Sequence, residues 1–148
     1  MIATAFAVAF VVYSCKSGLS EAGKLDLSAT PLQIVDSMNM VQTNNGKIEM
    51  RVVTGQMQRF DNDSVSREYF PEGMWVYAYT DDEVLESTIV SDEASHEKRK
   101  DSGEEIWKAF GNVVVKNIVK QQTMETDTIY WDRTKKEIYT DCYVRMYS

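Results

Sequence analysis

With 148 residues the chain has the length of one ordinary domain able to bury a real core, so one domain is expected rather than two. A composition of 43% hydrophobic, 26% charged and 11% aromatic residues is globular rather than disordered. The net charge of −7 argues against nucleic acid as a partner, and a single His with two Cys excludes a Cys/His zinc cluster and leaves little for a nucleophile–base pair. The charge is uneven: residues 16–95 carry 6 basic and 14 acidic side chains, residues 96–148 carry 10 and 9, so an anionic ligand is better tolerated toward the C-terminal part.

Met1 to Tyr13 is apolar apart from Thr4. It is shorter than the roughly 20 residues of a membrane-spanning helix and has the length of a signal-peptide apolar region. The run closes on Ser14-Cys15 before turning polar at Lys16-Ser17-Gly18, which resembles a bacterial lipoprotein signal with Cys15 as the lipid anchor. On that reading residues 1–15 are the signal and anchor. Residues 16–36, with Gly18, Gly23, Pro31 and several Ser and Thr, are a flexible tether, and 37–148 form the domain. Acylation of Cys15 leaves Cys142 as the free thiol, so no disulfide framework is expected. Cys142 shares a face with Ile138, Val144 and Met146 and reads as a small core hydrophobe.

From about Met38 the hydrophobic period is two. Ile48-Glu49-Met50-Arg51-Val52 alternates apolar with charged residues. Similar stretches follow at Met74–Thr80, Val84–Ser91, Glu105–Lys116, Thr123–Trp131 and Glu137–Tyr147, each rich in Val, Ile, Thr, Tyr or Trp. Turn chemistry separates them at Asn44-Asn45-Gly46, Pro71-Glu72-Gly73, Asp81-Asp82, Lys100–Gly103 and Asp132–Lys136. The expected class is an antiparallel all-β domain, either sandwich-like or rolled. A faint internal repeat lays Thr88–Lys98 over Thr123–Arg133, suggesting stacked hairpins around one core.

Candidate catalytic groups do not assemble. Glu104-Glu105 and Asp81-Asp82-Glu83 fall in or beside turns and read as solvated charge. His96 sits in His96-Glu97-Lys98-Arg99-Lys100 and reads as a surface residue. Asp61-Asn62-Asp63-Ser64 opens like a calcium loop but lacks the Gly at its sixth position and the Glu at its twelfth. No catalytic residue, metal or cofactor is expected.

Ser91-Asp92-Glu93-Ala94, Ile106-Trp107-Lys108-Ala109-Phe110-Gly111-Asn112-Val113-Val114-Val115, Glu125-Thr126-Asp127-Thr128-Ile129-Tyr130-Trp131-Asp132 and Lys136–Asp141 together resemble LptC, the periplasmic bridge component of lipopolysaccharide export, in its lipoprotein form. LptA and the N-terminal domain of LptD share the same grammar. The resemblance covers about residues 36–148. It implies a twisted β-jellyroll, open at its edges, with an apolar interior groove that receives lipid A acyl chains from an inner-membrane ABC transporter of LptB/LptF/LptG type. An LptA-like protein would receive them next, by strand-edge pairing. The expected lining is Ile48, Met50, Val52, Trp107, Ala109, Val113, Val115, Ile129, Trp131, Ile138, Val144 and Met146. Lys98, Arg99, Lys100, Arg133, Lys135 and Lys136 are the candidate contacts for lipid phosphates. The expected location is the periplasm, anchored to the inner membrane. The alternative is a structural or adhesin-like β-lipoprotein with a packed core and no cargo.

Overall fold

The computed structural model describes residues 29–135 and 137–148; residues 1–28, with Cys15, and Lys136 lie outside them. The described residues contain ten strands and no helix: β1 (Gln33–Asn44), β2 (Lys47–Asp61), β3 (Val65–Phe70), β4 (Met74–Tyr79), β5 (Leu85–Ser91), β6 (Glu93–Arg99), β7 (Glu105–Asn117), β8 (Gln122–Asp132), β9 (Glu137–Tyr139) and β10 (Arg145–Tyr147). All belong to one antiparallel sheet. The all-β expectation therefore holds, and β1 begins at Gln33, inside the segment read as tether.

The registers reduce this list to something simpler. β3 and β4 both pair with β2, on its second and first halves, so together they run along its whole length. β6 and β5 flank β3 and β4 in the same way, and β7 pairs with β6 through its first half and with β5 through its second. β9 and β10 likewise divide β8 between them. The domain is thus a meander of seven long strands, three of them interrupted midway.

The interruptions line up. Residues 70–74 face the shorter stretch 54–57 of β2, residues 111–113 face only 91–92, and 140–144 face 126–129, so alternate strands each carry one extra residue at the same level. An extra residue bends a strand and tightens its twist. Pro71-Glu72-Gly73, read from sequence as a turn between strands, is one of these kinks inside a long strand. Gly73 takes a φ of 82°, and a Cβ there would lie 2.9 Å from the carbonyl oxygen of Ser91, so the close approach of two backbones requires glycine. Gly111 and Asn112 form the second kink, with φ of 74° and 47°. The row is stitched by hydrogen bonds: the Thr54 hydroxyl donates to the Gly73 carbonyl at 2.8 Å, Asp92 N–H to the Gly111 carbonyl at 2.9 Å, and Asn112 Nδ2 to Asp92 Oδ2 at 2.6 Å.

Along this crease the sheet folds its inner faces together. Val52, Met74 and Val76 from the β4–β5 wall pack with Phe70 and Ala94 from the β3–β6 wall, and Trp107 rests against them. Ala109, Val113 and Ile129 form a second cluster where β7 and β8 cross the crease. The stretch 137–147, read as one strand, is divided at this same level. There the Thr140 hydroxyl donates to the Thr128 carbonyl at 2.5 Å and accepts from Cys142 N–H at 3.1 Å, replacing ladder bonds. Cys142 is consequently half-buried in an irregular segment rather than a core residue.

Candidate functional site: the trough between the walls

The walls do not close completely. Between them lies a cavity of about 230 Å³, lined by Met50, Val52, Val76, Ala78 and Ile89 on one side and Trp107, Ala109, Ile129, Trp131 and Ile138 on the other. The period-two pattern produces this: alternate residues of each strand face one way, and those facing inward here are nearly all apolar. An apolar cavity of about 150 Å³ already stays dry and accepts a small hydrocarbon. This larger one is suited to alkyl groups and offers water almost nothing to bond.

Of the residues expected to line a groove, Met50, Val52, Trp107, Ala109, Ile129, Trp131 and Ile138 border this cavity. Val113 has no exposed surface and lies packed at the crease with Val115 beside it, beneath the cavity rather than on its wall. Ile48 lies farther out on the inner face of β2 and is exposed. Met146 pairs in register with Met124 and is 64% exposed at the sheet edge, while Val144 is half-buried in the break between β9 and β10. Met74, Val76, Ala78, Ser87 and Ile89 line it as well, and the i, i+2, i+4 spacing of Met74, Val76 and Ala78 is the signal the sequence carries for them.

A second chamber of about 260 Å³ adjoins the first and shares Met50, Trp107 and Trp131 with it. Met38 and Met40 of β1 border it, but its far corner is charged. His96, read from sequence as a surface residue, has only 16% of its side chain exposed and faces inward. Its Nδ1 lies 3.1 Å from Glu68 Oε2 and its Nε2 lies 2.9 Å from Glu105 Oε1. His96 therefore bridges two carboxyl groups that come from different strands. The imidazole also stacks on Trp107, centroids 4.2 Å apart, and Arg133 Nη1 donates to Glu105 at 2.9 Å. The hydrogen bond with His96 holds Glu68 below its ordinary carboxylate pKa against the opposing effect of burial. For Glu105 burial pushes upward, but Arg133 and His96 together outweigh it and the net direction is again down.

The sequence hid this corner because β3 shows no strand pattern and β6 is legible only as part of the repeat arm Thr88–Lys98. Val65–Phe70 and Glu93–Arg99 carry too many charges to show alternation, yet Glu68 pairs with His96 and His96 with Trp107 in register, which sets them side by side on one face. The faint repeat lays part of β6 over part of β8. Its aligned residues Asp92 and Asp127 both sit at the crease, and its aligned His96 and Trp131 flank Trp107 on either side.

The fold brings Lys98–Lys100 and Arg133–Lys135 to the lip of the β3–β6 wall, since the β6–β7 and β8–β9 turns are neighbours and Arg133 N–H donates to the Glu105 carbonyl. Most of these cations already have acidic partners: Arg99 with Asp101, Lys100 with Asp61 at 2.6 Å, Arg133 with Glu105, and Lys135 with Asp132. Lys98 is exposed on β6. Asp132 is itself buried, accepting Lys135 N–H at 2.9 Å, which with the other turn contacts holds its carboxyl below the usual range. Asn62 Oδ1 accepts from Ser64 and Val65 N–H, so the calcium-like tetrapeptide is an Asx turn joining β2 to β3. No family model and no curated protein matches the chain.

Proposed function

We propose that this protein is a non-enzymatic carrier that shelters the alkyl chains of an amphiphile between its two walls. The observation that supports this most directly is the apolar cavity between Met50, Val76 and Ile89 on one wall and Trp107, Ile129 and Trp131 on the other. Each methylene removed from water contributes about 0.8 kcal/mol, so an acyl chain crosses an aqueous compartment only if such a surface accompanies it. The sequence resemblance to LptC narrows the reading to lipopolysaccharide transport. In that reading the creased sheet is a β-jellyroll, tethered through Cys15 to the inner membrane, taking lipid A from an ABC transporter of LptB/LptF/LptG type.

The sheet edges suit that role. β1 pairs only with β2, and β9 and β10 pair only with β8, so among the described residues both ends of the meander carry unpaired strand edges. Proteins normally blunt such edges. Here Ile34, Val41 and Tyr147 remain exposed along them, as strand addition to the transporter and to an LptA-like acceptor requires.

The test is photo-crosslinking of the protein to lipopolysaccharide through a photoreactive residue at Ala78 or Ile138, on the two sides of the cavity, with exposed Asp127 as the control. Crosslinks at the first two positions and none at the third are expected. A folded protein that crosslinks at neither cavity position would refute carriage and leave a structural β-lipoprotein.

A further inference from the structure

The outer faces of the two walls differ. On the β3–β6 wall the outward residues include Arg67, Glu97, Lys108 and the bonded pair Tyr69–Glu93. On the β4–β5 wall Val53, Trp75, Val90 and Val114 stand in register in one row, with Tyr77 in the next. Val52, Val76, Ile89 and Val113 beside them point inward, so these four strands are apolar on both faces. The sequence carries the same signal as unbroken apolar runs at Val52-Val53, Met74–Tyr79, Ile89-Val90 and Val113–Val115. A strand with one face in water alternates, whereas an unbroken run belongs to a strand covered on both faces. Yet Trp75 is 40% exposed and the three valines of its row are only half-buried.

The charges flanking the row point to what covers it. On its crease side stand Asp36 of β1, Glu72 of the Pro71–Gly73 kink, Asp92 between β5 and β6, and Asp127 of β8, all exposed. On its other side stand Arg51 and Lys116, also exposed, in register with Tyr77 and Thr88. None of these six has an ion-pair partner among the described residues. Glu125, which continues the row on β8, is paired with Arg145 at 3.5 Å. An apolar band with acids along one side and bases along the other is complementary to itself. A twofold axis running across the strands at the level of Trp75 lays the band of one copy on the band of another and exchanges the flanks. The strand order then sets Arg51 of β2 between Asp36 and Glu72 of the second copy, and Lys116 of β7 between its Asp92 and Asp127. Seven strands about 4.8 Å apart and about six residues long give a face of about 650 Å², so two copies cover about 1,300 Å², enough for a specific interface.

We infer that the outer face of the β4–β5 wall docks a second copy of this chain, sheet on sheet, about a twofold axis through the Trp75 row. The axis keeps both β1 strands on one side of the pair and leaves the troughs and the sheet edges uncovered, so the inference stands independently of carriage.

The test is sedimentation velocity of the full chain, in a non-ionic detergent that disperses the apolar run Met1–Tyr13, over a wide range of concentration. A reversible dimer is expected. Trp75→Lys, which brings two like charges together at the axis, should weaken it about thirtyfold. Lys116→Glu should weaken it about tenfold, and adding Asp127→Lys to that variant should restore most of the loss. All three positions are exposed, and circular dichroism verifies that each variant is folded. A monomer at every concentration would overturn the inference. So would a dimer indifferent to Trp75→Lys and Lys116→Glu, which would place the contact at the strand edges instead. Loss on Lys116→Glu without rescue by Asp127→Lys would overturn the twofold arrangement.

Discussion

Ala78→Leu separates a trough from a packed core by the sign of its effect. Ala78 lies on β4 opposite Met50 and Ser87, and borders the 230 Å³ cavity. The substitution adds three carbons. At about 0.8 kcal/mol each, full burial would gain about 2 kcal/mol, and the cavity's open side together with lost rotamer freedom reduces this to about 1 kcal/mol. For a domain of this length that corresponds to a rise in Tm of about 4 °C. Were the walls already in contact, the same carbons would overpack the interior and cost about 1–3 kcal/mol. Thermal unfolding followed by circular dichroism reads the sign, and alkyl-chain binding measured alongside should fall, because the added side chain occupies the ligand's volume. A Leu variant less stable than the parent would refute the cavity and the carrier reading built on it.

Val113→Asp places an unpaired carboxylate at a fully buried point of the crease, so it should cost more than about 3 kcal/mol and leave no folded domain by near-UV circular dichroism. Survival of the fold would show that the crease is hydrated. Gly73→Ala forces a Cβ against the Ser91 carbonyl at positive φ and should cost about 2 kcal/mol in urea unfolding, whereas Gly103→Ala, with open space around it, should cost about 1 kcal/mol from its φ alone. Equal losses would contradict the close approach of strands at the kink. For Glu68 and Glu105 the folded pKa lies below the unfolded value. The stability they contribute is therefore complete above the unfolded carboxylate pKa of about 4.3, and is lost as pH falls through their lowered folded values. Glu105→Gln should accordingly flatten the fall in urea midpoint below about pH 5, and an unchanged slope would count against the His96 corner.

The strand content and much of the inward face were legible in the residues themselves. A strand shows its two faces one residue at a time, so Ile48-Glu49-Met50-Arg51-Val52 or Thr128-Ile129-Tyr130-Trp131 announces an apolar face without reference to any partner. Where charge interrupts the alternation, as in β3 and β6, the local signal fails even though pairing with β2 and β7 makes the segment a strand. Pro71-Glu72-Gly73 has the chemistry of a chain reversal. Only its neighbours at Thr54 and Ser91, which continue straight past it, turn it into a bend within one long strand.

What the tertiary structure alone decided is how the faces meet. Sequence spacing cannot say that three extra residues fall at one level, because that depends on the registers of seven strands at once, and it is their coincidence that folds the sheet into two walls. Nor can it say that His96, from a charged stretch, lies between Glu68 and Glu105 against Trp107, since those partners come from β3 and β7 and approach only through cross-strand pairing. The sequence by itself therefore determined an antiparallel sheet with an apolar face. Long-range register, which no local residue encodes, decided that this face encloses a cavity with one charged corner.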